Sequence, residues 1–279
     1  MNLNRTELFS LKGKTAVLTG ASGFLGRMIA ETLLENGAKL IALGRSERLN
    51  EIVTCWQKKF GTDRLVGMQV DMADIPTFTD LLNTIAQQES HIDILINNAH
   101  ELGVNTGFNT SEGMLENATF EQWQRNFFGG VFWPALAAQR LGDRLKSSRS
   151  ASIINISSMY GIVAPSPKLY ENTNKFNPPG YSAAKAAMLA FTRYVASFWG
   201  EYGIRSNAIV PGPFSNIGGA SENSVNENDP FVARLQARTC LNRVGKPDEL
   251  AGALLYLASD ASSFVTGQAI VVDGGWTII

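Results

Sequence analysis

The chain is poor in everything that would staple it, load it with metal or thread it through a bilayer. Its 279 residues include two cysteines, Cys55 and Cys240, far apart in sequence. With no Cys-x-x-Cys pair and only two histidines, neither a disulfide framework nor a zinc site is suggested. No stretch approaches the roughly 20 consecutive apolar residues that span a membrane. The opening residues Met1 to Glu7 carry no apolar signal segment, so a soluble, cytoplasmic protein is the expectation. A formal net charge of −1, with Lys and Arg scattered rather than striped, argues against nucleic acid and anionic membrane as partners. A small molecule is the better candidate. What the chain has is 44% hydrophobic residues, enough to bury a large core, in a length that suits one α/β domain over 1–279.

The apolar residues come in short runs. Lys14 to Thr19 reads as a strand buried on both faces, followed by the glycine turn Thr19-Gly20-Ala21-Ser22-Gly23-Phe24-Leu25-Gly26 and a helical pattern closed by Asn36-Gly37. Strand, glycine turn and helix together suit pyrophosphate binding, because side chains at these glycines would keep a phosphate from the amides at the helix start. Lys39 to Leu43 is a second strand, and its end carries Gly44-Arg45-Ser46 with no carboxylate. A cation at this place accommodates a ribose 2′-phosphate, which favours NADP(H) over NAD(H), with Arg48 as a second contact. The competing reading leaves Arg45 a solvated residue opening the next helix.

Further strands are read at 65–70, 93–96, 152–156, 204–209 and 268–272, about seven in all. They predict a Rossmann-like, doubly wound parallel sheet with helices on both faces. Asp71 and Met72 follow the third strand, where Asp71 could meet an adenine amino edge. Asn97-Asn98-Ala99 ends the fourth, where an amide can pin neighbouring strands and a small residue admits a flat nucleotide. Both are also ordinary turn formers. A long helix is predicted over 119–145 with Asn126 inside it, a poor helix former that either faces solvent or has a specific hydrogen-bonding task. The fifth strand delivers Ser157 and Ser158 to the edge where ligands bind. A polar, proline-rich segment, 162–179, precedes Gly180-Tyr181-Ser182-Ala183-Ala184-Lys185. On a helix, Tyr181 and Lys185 share a face one turn apart, so the ammonium is expected to pull the phenol towards working pH for proton exchange with a substrate oxygen. Asn, Ser and Gly around 213–240 suggest a lid.

In this order, the glycine turn, Asn97-Asn98-Ala99, Ser158, Tyr181-x-x-x-Lys185 and Pro211-Gly212 resemble the short-chain dehydrogenase/reductase family over about residues 8–277. The resemblance implies Tyr181 as general acid/base, Lys185 as the cation beside it that also binds the nicotinamide ribose, and Ser158 as a hydrogen-bonding partner of the reacting oxygen. Asn126 matches the family's helix Asn that supports a proton-relay water. Cofactor contacts are implied at Gly20, Ser22, Gly23, Phe24, Leu25 and Gly26 of the turn, and at Arg45, Asp71, Met72, Asn98 and Ala99 at the strand ends. Tyr181, Lys185, Pro211, Gly212 and Phe214 complete that set. No metal is implied, and a homo-oligomer, dimer or tetramer, is expected with helices 119–145 and 180–202 as its faces.

Two features depart from the family's commonest pattern. The turn spaces its glycines as Gly20-x-x-Gly23-x-x-Gly26, as in the extended, sugar-nucleotide-modifying branch, although length, Asn97-Asn98-Ala99 and Asp273-Gly274-Gly275 resemble the shorter oxidoreductases. Ser158 and Tyr181 lie 23 positions apart, where the family has about a dozen, so roughly ten residues must loop out above the centre if both are to meet one oxygen. That insertion resembles gluconate-type and flagellin-glycan-associated bacterial members. Its Tyr170, Glu171, Asn172 and Asn174 suggest a sugar, polyol or sugar acid as substrate, while an oligomer contact is the competing role. A 3-ketoacyl thioester reductase and a non-catalytic dinucleotide-binding regulator are the alternatives.

Overall fold

The computed structural model describes residues 7–173, 175–214 and 229–279. Asn174 and most of the expected lid, 215–228, lie outside the described residues. Seven parallel strands form one sheet: β1 (Thr15–Thr19), β2 (Lys39–Gly44), β3 (Leu65–Gln69), β4 (Ile94–Asn97), β5 (Ser152–Ile156), β6 (Arg205–Pro211) and β7 (Ala269–Val272). Their spatial order is β3-β2-β1-β4-β5-β6-β7. The order reverses between β1 and β4, which places the ligand crevice of an open α/β sheet beyond Thr19 and Asn97.

The central strands β1, β2 and β4 are largely apolar because both faces are covered, while the edge strands β3 and β7 are partly exposed. Ala16, Leu18, Leu40, Ala42, Ile94 and Ile96 face α1 (Phe24–Glu35), α2 (Arg48–Phe60) and α9 (Ala251–Ala258). The alternate residues Val17, Ile41, Leu43, Leu95 and Ile153 face α3 (Ile75–Gln88) and α5 (Trp133–Ser148) on the other side, with Val195 of α7 (Pro179–Trp199). Shifting any strand by one residue would exchange its two faces, so register is fixed by packing on both.

The expected single helix over 119–145 is divided. A capping box at Thr119 and Gln122 starts α4 (Phe120–Phe127), a π-helical turn follows over Phe128–Phe132, and α5 resumes at Trp133. The break falls on Gly129 and Gly130, where the chain presses on His100 and on Ala184 of α7. The insertion holds one helical turn, α6 (Pro167–Tyr170), and is less polar inside than its composition suggests. Leu169 is buried while Glu171 and Asn172 are exposed. Beyond it lies α8 (Pro230–Ala237). Among the described residues no helix is long and apolar enough to cross a membrane.

Candidate active site

The first turns of α7 are bolted to the end of β5. The Ser157 hydroxyl donates to the Lys185 carbonyl at 2.9 Å, and Lys185 Nζ donates to the Ile156 carbonyl at 2.8 Å. A second set of buried bonds fixes the helix further along. Asn97 Nδ2 donates to Asn155 Oδ1 (2.8 Å), Asn155 Nδ2 to Thr192 Oγ1 (2.9 Å), and Thr192 Oγ1 to the Met188 carbonyl (2.8 Å). Strand ends β4 and β5 thereby set where Tyr181 and Lys185 project. The expectation that Asn97 pins strands is met through its side-chain amide.

Ser158, Tyr181 and Lys185 converge at this edge. Lys185 Nζ lies 5.6 Å from the centre of the Tyr181 ring. Ser158 Oγ accepts from the Tyr160 amide at 3.2 Å, which leaves its own O–H to donate elsewhere. The electrostatics run opposite to the expectation from the pair alone. Burial raises the Tyr181 phenol above its ordinary value, and the nearby Ser158 hydroxyl only partly offsets this. Lys185 is itself driven down to about 7 by burial. Desolvation dominates both groups, and among the described residues no charge offsets it at Lys185.

Asn126 is buried, which decides between its two readings. Its Nδ2 donates to the carbonyls of Thr106 (2.9 Å) and Gln122 (2.8 Å). Three side chains escaped the sequence reading. His100 and Phe108 each stand edge-on to the Tyr181 ring with centroids 5.0 Å away, and Tyr160 hydrogen-bonds Tyr170 hydroxyl to hydroxyl at 2.9 Å. His100 directly follows Asn97-Asn98-Ala99, so its place at the strand end was the available signal. Phe108 and Tyr160 carried none.

The glycine turn fits a dinucleotide phosphate. Gly20 has φ +69°, and a Cβ there would lie 2.9 Å from Ala99 Cα; at Gly26 it would lie 2.0 Å from the Gly20 carbonyl. The α1 N-terminus at Gly23 has no side-chain cap and no acidic residue in its first turn, so Phe24, Leu25 and Gly26 open a positive helix end towards the crevice. Ser22 lies at the same turn, with Oγ near Gly44. Asn98 Nδ2 donates to the carbonyls of Thr19 (3.2 Å) and Gly20 (3.1 Å), and the Ala99 amide donates to Thr19 Oγ1, which ties β4 to the turn. Arg45 is exposed at the end of β2, and among the described residues neither it nor Arg48 forms an ion pair. Asp71 is exposed and accepts from the Ala73 amide, while Met72 is buried. Pro211 ends β6, the Gly212 amide donates to the Val272 carbonyl, and the Phe214 ring packs over Gly245.

The insertion closes the outer side. Tyr170 packs against Phe176 and Phe231, and Arg234 of α8 donates to the carbonyls of Leu169 and Glu171. Of its predicted polar contacts, the Tyr170 hydroxyl points inward to Tyr160, whereas Glu171 and Asn172 face solvent.

Comparison with known proteins covers nearly the whole chain. A family described as Enoyl-(Acyl carrier protein) reductase matches residues 20–277. The 7alpha-hydroxysteroid dehydrogenase of Clostridium sardiniense is 31% identical over 270 residues, 96% of this chain and 95% of the relative. Sorbose reductase of Candida albicans is 31% identical over 279 residues, 98% and 90% of the two chains. Among solved structures, a gluconate 5-dehydrogenase from Burkholderia cenocepacia in complex with NADP and tartrate superposes with a TM-score of 0.79 at 26% identity, covering 98% of each chain.

Proposed function

The chain belongs to the short-chain dehydrogenase/reductase family and is an NAD(P)-dependent alcohol/ketone oxidoreductase; within that class we propose that its substrate is a sugar, polyol or sugar acid and that NADP(H) is its preferred cofactor. The observation that carries the chemistry is the convergence of Ser158, Tyr181 and Lys185 at the end of β5, beside an uncapped helix start. Hydride is supplied or taken up by the nicotinamide when the dinucleotide is bound.

In the reducing direction Tyr181 gives its phenolic proton to the carbonyl oxygen as the carbon is reduced, and Ser158 donates a hydrogen bond to the same oxygen. Burial keeps the phenol protonated near neutral pH, so the resting site already holds the proton that carbonyl reduction consumes. In the oxidising direction the alcohol proton returns to Tyr181 Oη. Lys185 has one donor engaged with Ile156 and keeps others for the cofactor's ribose, and Asn126 supports the relay that replaces the Tyr181 proton. Gly20, Ser22, Gly23 and the amides of Phe24 to Gly26 would hold the pyrophosphate. Arg45 would hold the 2′-phosphate, with Asp71, Met72, Asn98, Ala99, Pro211, Gly212 and Phe214 lining the remainder.

The Tyr160–Tyr170 hydroxyl pair supports a polyhydroxylated substrate, since two phenols side by side offer donors and acceptors to neighbouring hydroxyls. The sorbose and gluconate enzymes among the similar proteins agree with it. The proposal includes a single domain, a cytoplasmic location and a homo-oligomer, for which the exposed, stacked rings of Tyr194 and Phe198 on α7 offer an apolar face.

Turnover of sugars, polyols and their keto forms, set against apolar ketones and a β-ketoacyl thioester, tests the substrate class; activity confined to the last two would overturn it. Tyr181→Phe should lower kcat by roughly 10²–10⁴-fold with cofactor binding nearly intact, and retained turnover would remove Tyr181 from its role. Arg45→Ala should weaken NADPH by roughly tenfold to a hundredfold and leave NADH unchanged, the loss of one charge-assisted contact. Equal weakening of both would return Arg45 to the solvent.

A further inference from the structure

Beside Tyr181, two buried polar groups have no hydrogen-bond partner among the described residues: both ring nitrogens of His100, and Oδ1 of Asn126. They come from different elements: His100 stands against the Tyr181 ring, and the Asn126 side chain lies beside Gly180, the residue before Tyr181. The His100 ring stands at 89° to that of Tyr181 with centroids 5.0 Å apart. The π-helical turn closes directly on the imidazole, since a Cβ at Gly129 would lie 2.6 Å from His100 Nδ1, so only glycine allows the approach. Widened helical turns of this kind gather at functional sites. Asn126 sits three residues before Gly129, and its side chain is among the groups that act on the His100 ring.

The chemistry of the two orphans is complementary. Asn126 Nδ2 already donates to two carbonyls, which fixes the amide orientation and leaves Oδ1 as an acceptor that only an O–H or N–H can satisfy. A neutral imidazole has one N–H and one lone pair. Burial first, and then Lys185, hold the His100 ring well below the ordinary histidine value, while the Asn126 side chain and the Gly129 backbone oppose the shift only in part. The groups facing it are Tyr181 and Lys185 from α7, Asn126 from α4 and the main chain of Gly129.

We propose that His100 is a positioning residue of this site: its neutral ring donates N–H to Asn126 Oδ1 and braces the Tyr181 phenol edge-on. The inference rests on the reading of Tyr181 as the proton-transfer group. It assigns the imidazole to a single tautomer, with the second nitrogen left as an acceptor beside the relay.

The chain has two histidines, and His91 lies half-exposed near Asp93, so the His91→Gln protein carries His100 as its one imidazole. Long-range ¹H–¹⁵N spectra of that protein should show one neutral tautomer from about pH 5.5 to about pH 8. Adding Asn126→Ala should release it into a tautomer mixture. A mixture in the parent, or an unchanged single tautomer after Asn126→Ala, would overturn the assignment. In turnover, His100→Phe keeps a ring but loses the N–H, and should lower kcat about tenfold with the cofactor KM unchanged. His100→Gln, which restores a donor, should recover part of the loss. Full kcat in His100→Phe would overturn the positioning role. The spectra need no turnover, so they decide on His100 even if Tyr181→Phe stays active and the proton-transfer reading falls.

Discussion

The two walls of the site are held by different kinds of bond. On the sheet side, Ser157, Lys185, Asn97, Asn155 and Thr192 form a buried set of hydrogen bonds that ends on main-chain carbonyls of β5 and α7. On the outer side, the insertion is attached by rings, one guanidinium and one polar pair: Tyr170 against Phe231, Tyr160 to Tyr170, Arg234 reaching two carbonyls, and the Phe176 main chain paired with Asn109. Buried bonds to backbone tolerate almost no displacement, because each unmade partner costs its full desolvation. Aromatic contacts at a half-exposed edge can be exchanged for others of similar volume. The placement of Tyr181 and Lys185 thus rests on the sheet, and the outer wall is an attachment that can change without disturbing it.

The largest test of the sheet side is Lys185. Its folded value, about 7, lies below the ordinary 10.5. Between these values the unfolded chain binds the proton and the folded chain does not, so stability should rise as pH climbs from about 7 towards 10.5, and the full penalty applies below about 7. The span corresponds to a few kcal/mol at most. Denaturant unfolding across that window should show the rise in the wild-type chain, and Lys185→Met should flatten it. An equal slope in both proteins would mean that Lys185 is solvated, and that the wall is looser than its bonds imply.

Much of the sheet side is legible from residues alone because periodicity and chemistry coincide there. Continuous apolar runs announce strands covered on both faces; Gly20, Asn97 and Ser158 stand at their carboxyl ends, and Tyr181 and Lys185 follow in fixed order at the start of α7. The sign of the phenol's displacement was not legible, since a one-dimensional spacing shows the cation but not the burial that outweighs it. Nor was the π turn that divides 119–145, which depends on His100 and Ala184 approaching Gly129 and Gly130 from distant parts of the chain. The insertion misled through composition. Pro165, Pro167, Glu171 and Asn172 suggested a polar strap, whereas Leu169 and Tyr170 turn inward and carry its attachment.

The outer wall should give smaller effects that separate from chemistry. Tyr170→Ala removes a ring packed on two others, and should lower stability by about 2 kcal/mol, below a full core deletion because the site is partly exposed. Tyr170→Phe is the finer probe. It keeps the ring and deletes one hydroxyl, so the stability cost should be about 1 kcal/mol, that of one hydrogen bond between neutral groups. Burial holds both phenols above their ordinary value, so the pair stays uncharged near neutral pH and this cost should not vary with pH there. If the pair reads substrate hydroxyls, KM for the polyol should rise several-fold while kcat and the cofactor KM stay put, the signature of binding lost equally from ground and transition states. A fall in kcat instead would mean that the insertion also helps to hold Tyr181, and the division between the two walls would fail at that point.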